Sequence, residues 1–101
     1  MITATLNPGQ QAIRDYYDRS DLESIANYGC ESGCASGHIY YSQTWEFWCN
    51  FEDEIENYFY DIFGENWMVE CNFVEASIRQ IVNKIVWAYV ESTATMLLEN
   101  A

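Results

Sequence analysis

The sequence predicts a mainly α-helical fold, a compact single domain over residues 1–101 with room for a small two-stranded β element. Three observations lead there. Trp45, Trp48, Ile55, Phe59 and Ile62 recur at helical spacing, and so does the stripe Val74, Ile78, Ile81, Ile85, Ala88 and Ser92. Helix-start residues stand before each periodic stretch, and glycines stand after them. Half of the 101 residues are apolar and 17% are aromatic, enough for a sizeable core in a chain of single-domain length.

Asn7 followed by Pro8, the one proline, reads as a helix cap and first helical position. A first helix is expected from Pro8 to about Asp18. Ser20 and Glu23 form a capping-box pattern for a second, from Asp21 to Gly29, where glycine supplies a left-handed C-terminal cap. Gly29 to Gly37 reads GCESGCASG, a loop by composition. His38 to Tyr41 is β-prone. A long helix is expected from Ser42 or Thr44 to Gly64, then a connector or short strand over Glu65 to Cys71. Asn72 and Glu75 make a second box-like start for a last helix reaching about Leu98. Val82, Val86, Tyr89 and Leu97 widen its apolar face, so it is the expected central helix.

Charge narrows the function. Sixteen acids face four bases, for a formal net charge of −12. Between Arg19 and Arg79 there is no base, while acids stand at 21, 23, 31, 46, 52, 53, 54, 56, 61, 65, 70 and 75. Disorder needs low hydrophobicity beside high charge, and this segment also holds Trp45, Phe47, Trp48, Phe51, Phe59, Phe63, Trp67 and Phe73. A folded body of one sign repels itself, which points to a use for the field. Phosphate contacts require Lys and Arg, so direct binding of nucleic acid or an anionic membrane is not expected. The expected partner is a basic protein or complex, or multivalent cations. Met1 to Asn7 lacks a secretion signal and no window approaches about 18 apolar residues, so a soluble cytoplasmic protein is expected. A wide apolar face on the last helix leaves room for a homodimer.

With the stripe from Trp45 to Ile62 facing the core, the opposite face of the long helix holds Glu46, Asp53, Glu54 and Asp61. The pairs Glu46/Asp53 and Glu54/Asp61 are seven apart, so roughly 10 Å along the axis. Glu65 extends this array, with Glu52 and Glu56 on its flank and Tyr58 and Tyr60 as contact anchors, aromatic residues being enriched in interface cores. Asp21, Glu23 and Glu31 could add to it from neighbouring segments. The competing readings are an ordinary solvated acidic face, a salt-adapted host, and tyrosines at a core edge with hydroxyls in water. Of Tyr16, Tyr17, Tyr28, Tyr40, Tyr41, Tyr58 and Tyr60, some should be exposed beside the carboxylates. The four bases, Arg14, Arg19, Arg79 and Lys84, are expected to pair with nearby acids.

Cys30, Cys34 and His38, at intervals of four in the glycine-rich loop, are candidate zinc ligands, with a fourth from Cys49 or Cys71. No second close-spaced pair accompanies them, and reduced thiols without metal are the competing reading. Cys49 and Cys71, among apolar residues, are expected to be buried. The only thiol–imidazole pair near in sequence is Cys34/His38, with no orienting group. There is no phosphate-cradling glycine loop or calcium loop. No enzyme activity and no cofactor are expected.

In size, charge and acid–aromatic texture the whole chain resembles the small acidic proteins of phages and mobile elements that inhibit host defence by imitating DNA, antirestriction proteins and some anti-CRISPR proteins among them. Ser36-Gly37-His38-Ile39-Tyr40-Tyr41 resembles a Ser-Gly-x-Ile-Tyr-Tyr segment that precedes a helix in small phage proteins. The resemblance implies a non-enzymatic inhibitor whose carboxylates replace phosphates in a nucleic-acid-binding groove. Three alternatives stay open: an interaction subunit that binds a basic protein through an apolar and tyrosine patch, a small zinc-binding protein, and a thiol enzyme using Cys34.

Overall fold

The computed structural model describes residues 6–29, 41–74 and 77–99. Among the described residues five helices follow in chain order: α1 (Pro8–Tyr16), α2 (Arg19–Tyr28), α3 (Tyr41–Phe63), α4 (Trp67–Glu70) and α5 (Ile78–Glu99). The architecture is a single all-α domain, and no strand occurs among the described residues. The β-prone residues 38–40 and the loop to Gly37 lie outside them, and Tyr41 opens α3.

Helix α5 is central because it is apolar on more than one side. Val82, Ile85, Val86, Tyr89, Val90 and Ala94 are all buried, the i, i+3, i+4, i+7 pattern of a broad stripe. It packs against α2, α3 and α1. Two polar side chains in this stripe are satisfied: the Thr93 hydroxyl donates to the Tyr89 carbonyl at 2.8 Å, and buried Thr44 of α3 donates to Asn83 of α5. The radius of gyration is 13.1 Å, the value of about 13 Å expected for a folded chain of this length.

The start of α1 is as the sequence predicts. The Asn7 side chain accepts from Gln10 N at 2.9 Å, and the Gln10 side chain accepts from Asn7 N at 3.1 Å, with Pro8 in the first turn. The helix stops at Tyr16 rather than near Asp18, because Tyr17 is extended and Asp18 caps α2. Asp18 Oδ1 accepts from Asp21 N at 2.8 Å, so α2 starts at Arg19. The Ser20/Glu23 box is therefore not used. An ionised carboxylate at the cap also meets the positive end of the helix dipole, and Glu23 instead pairs with Arg19 at 3.0 Å.

Helix α3 departs from the straight stripe. Phe51 has φ −131° and ψ 27°, a break in the helix. Before the break, Thr44 is buried with Phe47 and Trp48 against the core; after it, Ile55 and Phe59 are buried. Trp45 and Ile62, expected inside, are 36% and 56% exposed. For Trp45, seven-residue spacing from Trp48 to Ile55 assumes an unbroken helix, and the break resets the phase; Ile62, in phase with Ile55, stands in the last turn of α3, past the buried stretch. Gly64 (φ +83°) ends α3, its N–H bonded to the Tyr60 carbonyl.

The segment from Glu65 to Cys71 is not a strand but carries the short α4. Its work is to deliver Trp67, which stacks on Phe59 at 5.5 Å and meets Phe73 edge-on at 6.1 Å. Asn72 is not a cap either. It takes φ 58° in the turn after α4, a conformation asparagine tolerates better than most residues. Glu75, its proposed partner, lies outside the described residues. Helix α5 begins later, at Ile78, with the Ser77 hydroxyl accepting from Gln80 N at 3.3 Å. Val74 and Ile78 are consequently exposed rather than part of the core stripe.

The closest packing lies where α1 crosses α5. Tyr89 is fully buried and its hydroxyl donates to Asn7 Oδ1 at 2.6 Å. A Cβ on Gly9 would stand 2.7 Å from that hydroxyl and 3.2 Å from the ring. Gly9→Ala should cost about 1–3 kcal/mol through overpacking. Tyr89→Phe loses one hydrogen bond, about 1 kcal/mol, and opens space under residue 9, so Gly9→Ala should cost less in that background. Urea denaturation of the four proteins measures the difference, and an equal cost in both backgrounds would refute the contact. Burial pushes the Tyr89 phenol up from 10.0 to about 12, helped by Glu54 and Tyr58. Its contribution is intact below pH 10 and is lost as pH rises through about 12. Tyr89→Phe should remove that part of the alkaline destabilisation.

Candidate partner-binding surface

Helix α3 carries six acids and no base over its 23 residues. At 1.5 Å per residue it is about 34 Å long. Glu46, Glu52, Asp53 and Asp61 are exposed, as is Glu65 beyond its end, whereas Glu54 and Glu56 are half-buried. Among the other tyrosines, Tyr16 and Tyr28 are exposed, and Tyr17 and Tyr58 pack partly against the core. Tyr60 is 53% exposed, but Tyr58 meets Tyr89 edge-on at 5.3 Å. Tyr60 therefore stands with the outward carboxylates, and Tyr58 is mainly a packing residue.

The carboxylates do not form the two parallel rows drawn from the sequence. Glu46 and Asp53 lie on opposite sides of the break at Phe51. In the regular half, successive residues turn by about 100°, so Glu52 and Glu54 project about 200° apart. Glu54 belongs to the α1 side, where its carbonyl accepts from the Asn7 amide at 3.5 Å. Asp53 and Asp61 face outward, and Glu52 and Glu56 form a second row one turn apart on the other flank.

That flank borders a groove that the periodicity did not reveal. Trp45, Trp48, Cys49, Glu52 and Glu56 of α3, Trp67 and Met68 of α4, and Ile78, Ile81, Val82 and Ile85 of α5 line an open groove of about 490 Å³. Sequence does carry a trace of it, in Trp45/Cys49 and Trp48/Glu52/Glu56 at i, i+4 spacing. Its third wall comes from α4, which the sequence left as a connector. Cys49, expected to be buried, is exposed in this wall, and Cys71 is partly buried. Burial, with help from Glu70, pushes the Cys71 thiol up, which disfavours the reactive thiolate. At the groove's edge the Arg79 guanidinium lies over Trp45, 5.2 Å from the ring centre. One of the four bases thus stands beside α3, while Arg14 occupies the last turn of α1. A smaller hollow of about 240 Å³ lies between α1 and α3, among Ile13, Tyr16, Tyr17, Glu46, Phe47 and Phe51.

The zinc candidates Cys30, Cys34 and His38 lie outside the described residues. Among the described residues no group of three or more His, Cys, Asp or Glu is placed to hold a metal ion. No helix among them is long and apolar enough to cross a membrane.

The chain belongs to the family described as a domain of unknown function (DUF7222), whose match covers residues 2–101. No curated protein and no solved structure matches it.

Burial raises the Glu56 carboxyl above its ordinary 4.5, and repulsion from Glu52 and then Asp53 raises it further. The folded state therefore holds this proton more tightly than the unfolded chain. The resulting stabilisation is complete below pH 4.5 and is lost as pH rises through the raised value. The thermal midpoint should rise as pH falls through the raised value toward 4.5. Glu56→Gln should raise the midpoint at neutral pH and flatten this dependence. Differential scanning calorimetry of both proteins would show it, and parallel pH profiles would rule Glu56 out as a source.

Proposed function

We propose that this protein is a non-enzymatic acidic binding protein that occupies the cationic nucleic-acid-binding groove of a partner. Its action is that of a DNA-mimicking inhibitor of a bacterial defence complex, of the antirestriction or anti-CRISPR type. The observation that carries this reading is α3, a base-free helix with an outward face formed by Asp53, Tyr60 and Asp61 and with Glu46 exposed on the other side of the break. Opposite charge would steer encounter with a basic groove and make association fall with salt.

Magnitudes limit what the charges can do. Duplex DNA carries one charge per about 1.7 Å of axis, so a length equal to α3 presents about twenty. Six carboxylates over about 34 Å reach roughly a third of that density. They can replace the phosphates on one side of a groove but not a whole duplex. Specific contact must add to them, and exposed apolar residues are at hand: Tyr60, Ile62 and Phe63 at the end of α3, and Met68 and Val69 on α4. These residues also favour the second reading, an interaction subunit that holds a basic protein through an apolar and tyrosine patch.

Salt and competing DNA separate the two. Decoy binding should collapse between about 0.1 and about 0.5 M salt, as screening shortens from about 10 Å, and duplex DNA should displace the partner. Apolar binding should survive both treatments. The triple variant Glu46→Lys, Asp53→Lys and Asp61→Lys should lose at least about tenfold in partner affinity while its circular dichroism stays helical. Unchanged capture of a nuclease or CRISPR effector by that variant would defeat the assignment of this face.

A further inference from the structure

The groove between α3, α4 and α5 has two kinds of wall. Trp45, Trp48, Trp67 and Met68 give it an apolar and aromatic lining, and Glu52 and Glu56 give it paired carboxylates one helical turn apart. At about 490 Å³ it is as large as the clefts of roughly 300–1,000 Å³ that hold small ligands. An apolar occupant would leave the carboxylates facing a dry surface, which is costly. A bare cation would leave the indoles unfilled. An occupant that suits both walls has a long apolar body and a cationic head, the build of a Lys or Arg side chain.

We propose that this groove seats a basic side chain of the partner protein, lysine or arginine, with the head between Glu52 and Glu56 and the stem along the tryptophans. The proposal rests on the reading of the partner as a basic protein and locates where that partner is gripped. Charge complementarity supports it, in a chain of net charge −12. So does the chain's own chemistry at the rim, where the Arg79 guanidinium already lies over Trp45. Cation–π contact of this kind is strongest on tryptophan and grows as the pair is desolvated. Crowding of Glu52, Glu56 and Asp53 raises the Glu56 carboxyl, after burial, and an incoming cation relieves that repulsion. Glu52 and Glu56 thus differ from the outward Asp53 and Asp61, which meet a partner through water and long-range field.

The probe is an acetylated, amidated hexaarginine peptide titrated into isotope-labelled protein, with a glycine–serine peptide as control. The chain has four tryptophans, and Trp87 does not line the groove. The indole N–H signals of Trp45, Trp48 and Trp67 should move while that of Trp87 stays. Two double variants, Glu52→Gln with Glu56→Gln and, at exposed acids outside both the groove and the α3 face, Asp15→Asn with Glu99→Gln, each remove two charges and weaken long-range attraction alike. Only the first should raise the peptide Kd by about tenfold or more; the second should change it less than about threefold. Binding that weakens in the second variant, or equally in both, with indole signals still, would overturn the groove and leave the acidic-face reading standing. No binding of hexaarginine at about 0.1 M salt, where exposed charges interact over about 10 Å, would overturn both.

Discussion

Asn7 and Tyr89 hold the arrangement on which the surface depends. Asn7 Oδ1 accepts two hydrogen bonds, from Gln10 N within the α1 cap and from the Tyr89 hydroxyl of α5. The Asn7 amide donates to the Glu54 carbonyl of α3. One short side chain thus starts α1 and ties it to both long helices. The Tyr89 ring continues the join, with Tyr58 at 5.3 Å and Phe47 at 6.1 Å on either side of the break in α3. Gly9 completes it by leaving room for the hydroxyl. With α3 fixed at both halves against α5, its outer face has nowhere to turn but solvent.

That constraint matters because the charge works against the fold. A net charge of −12 repels itself in the compact state, and the exposed Arg19–Glu23 pair returns little. Cohesion comes from packing. Phe59, Trp67 and Phe73 form a mutually contacting trio that closes the far end of α3, and such aromatic pairs add about 0.5–1.5 kcal/mol each beyond their buried area. The buried Thr44–Asn83 bond sets the register of α3 on α5 at the other end. A polar pair inside a core penalises alternative registers, since either partner left unpaired is costly.

Local chemistry was the legible part of the sequence. Asn7 with Pro8, Gly29 and Gly64 each stand where their residue types place them, because a cap or a positive φ depends on near neighbours alone. The central role of α5 was legible from its breadth of apolar positions. Competing caps were not: Asp18 and Ser20 both offer an acceptor, and only the extended backbone at Tyr17 shows which is used. The break at Phe51 was hidden because apolar spacing there still fits a straight helix. Trp45 was misplaced for that reason, and the acidic array was drawn as two rows; Ile62, in phase with buried Ile55, is exposed because it stands in the last turn of α3, past the buried stretch. Exposure of Tyr16, Tyr28 and Tyr60 follows from the surplus of tyrosines, but the side of α3 that holds Tyr58 had to come from the packing.

The break also explains why the carboxylates divide. On a straight helix with Trp45 and Trp48 turned inward, Glu52 and Glu56 would flank a closed seam. With the phase reset at Phe51, the first turns of α3 lift Trp45 to the surface, where Arg79 covers one of its faces. A groove opens between those turns, α4 and α5. Glu52 and Glu56 share its lining with three tryptophans, and Glu56 is less exposed than the acids of the outer face. On the proposed reading, charges in such a place would discriminate among cations by shape, whereas Asp53 and Asp61 would register little more than sign. If the proposed partner is basic, one helix would offer it two kinds of contact: a long-range field that brings it in, and a short-range slot that tests what it carries.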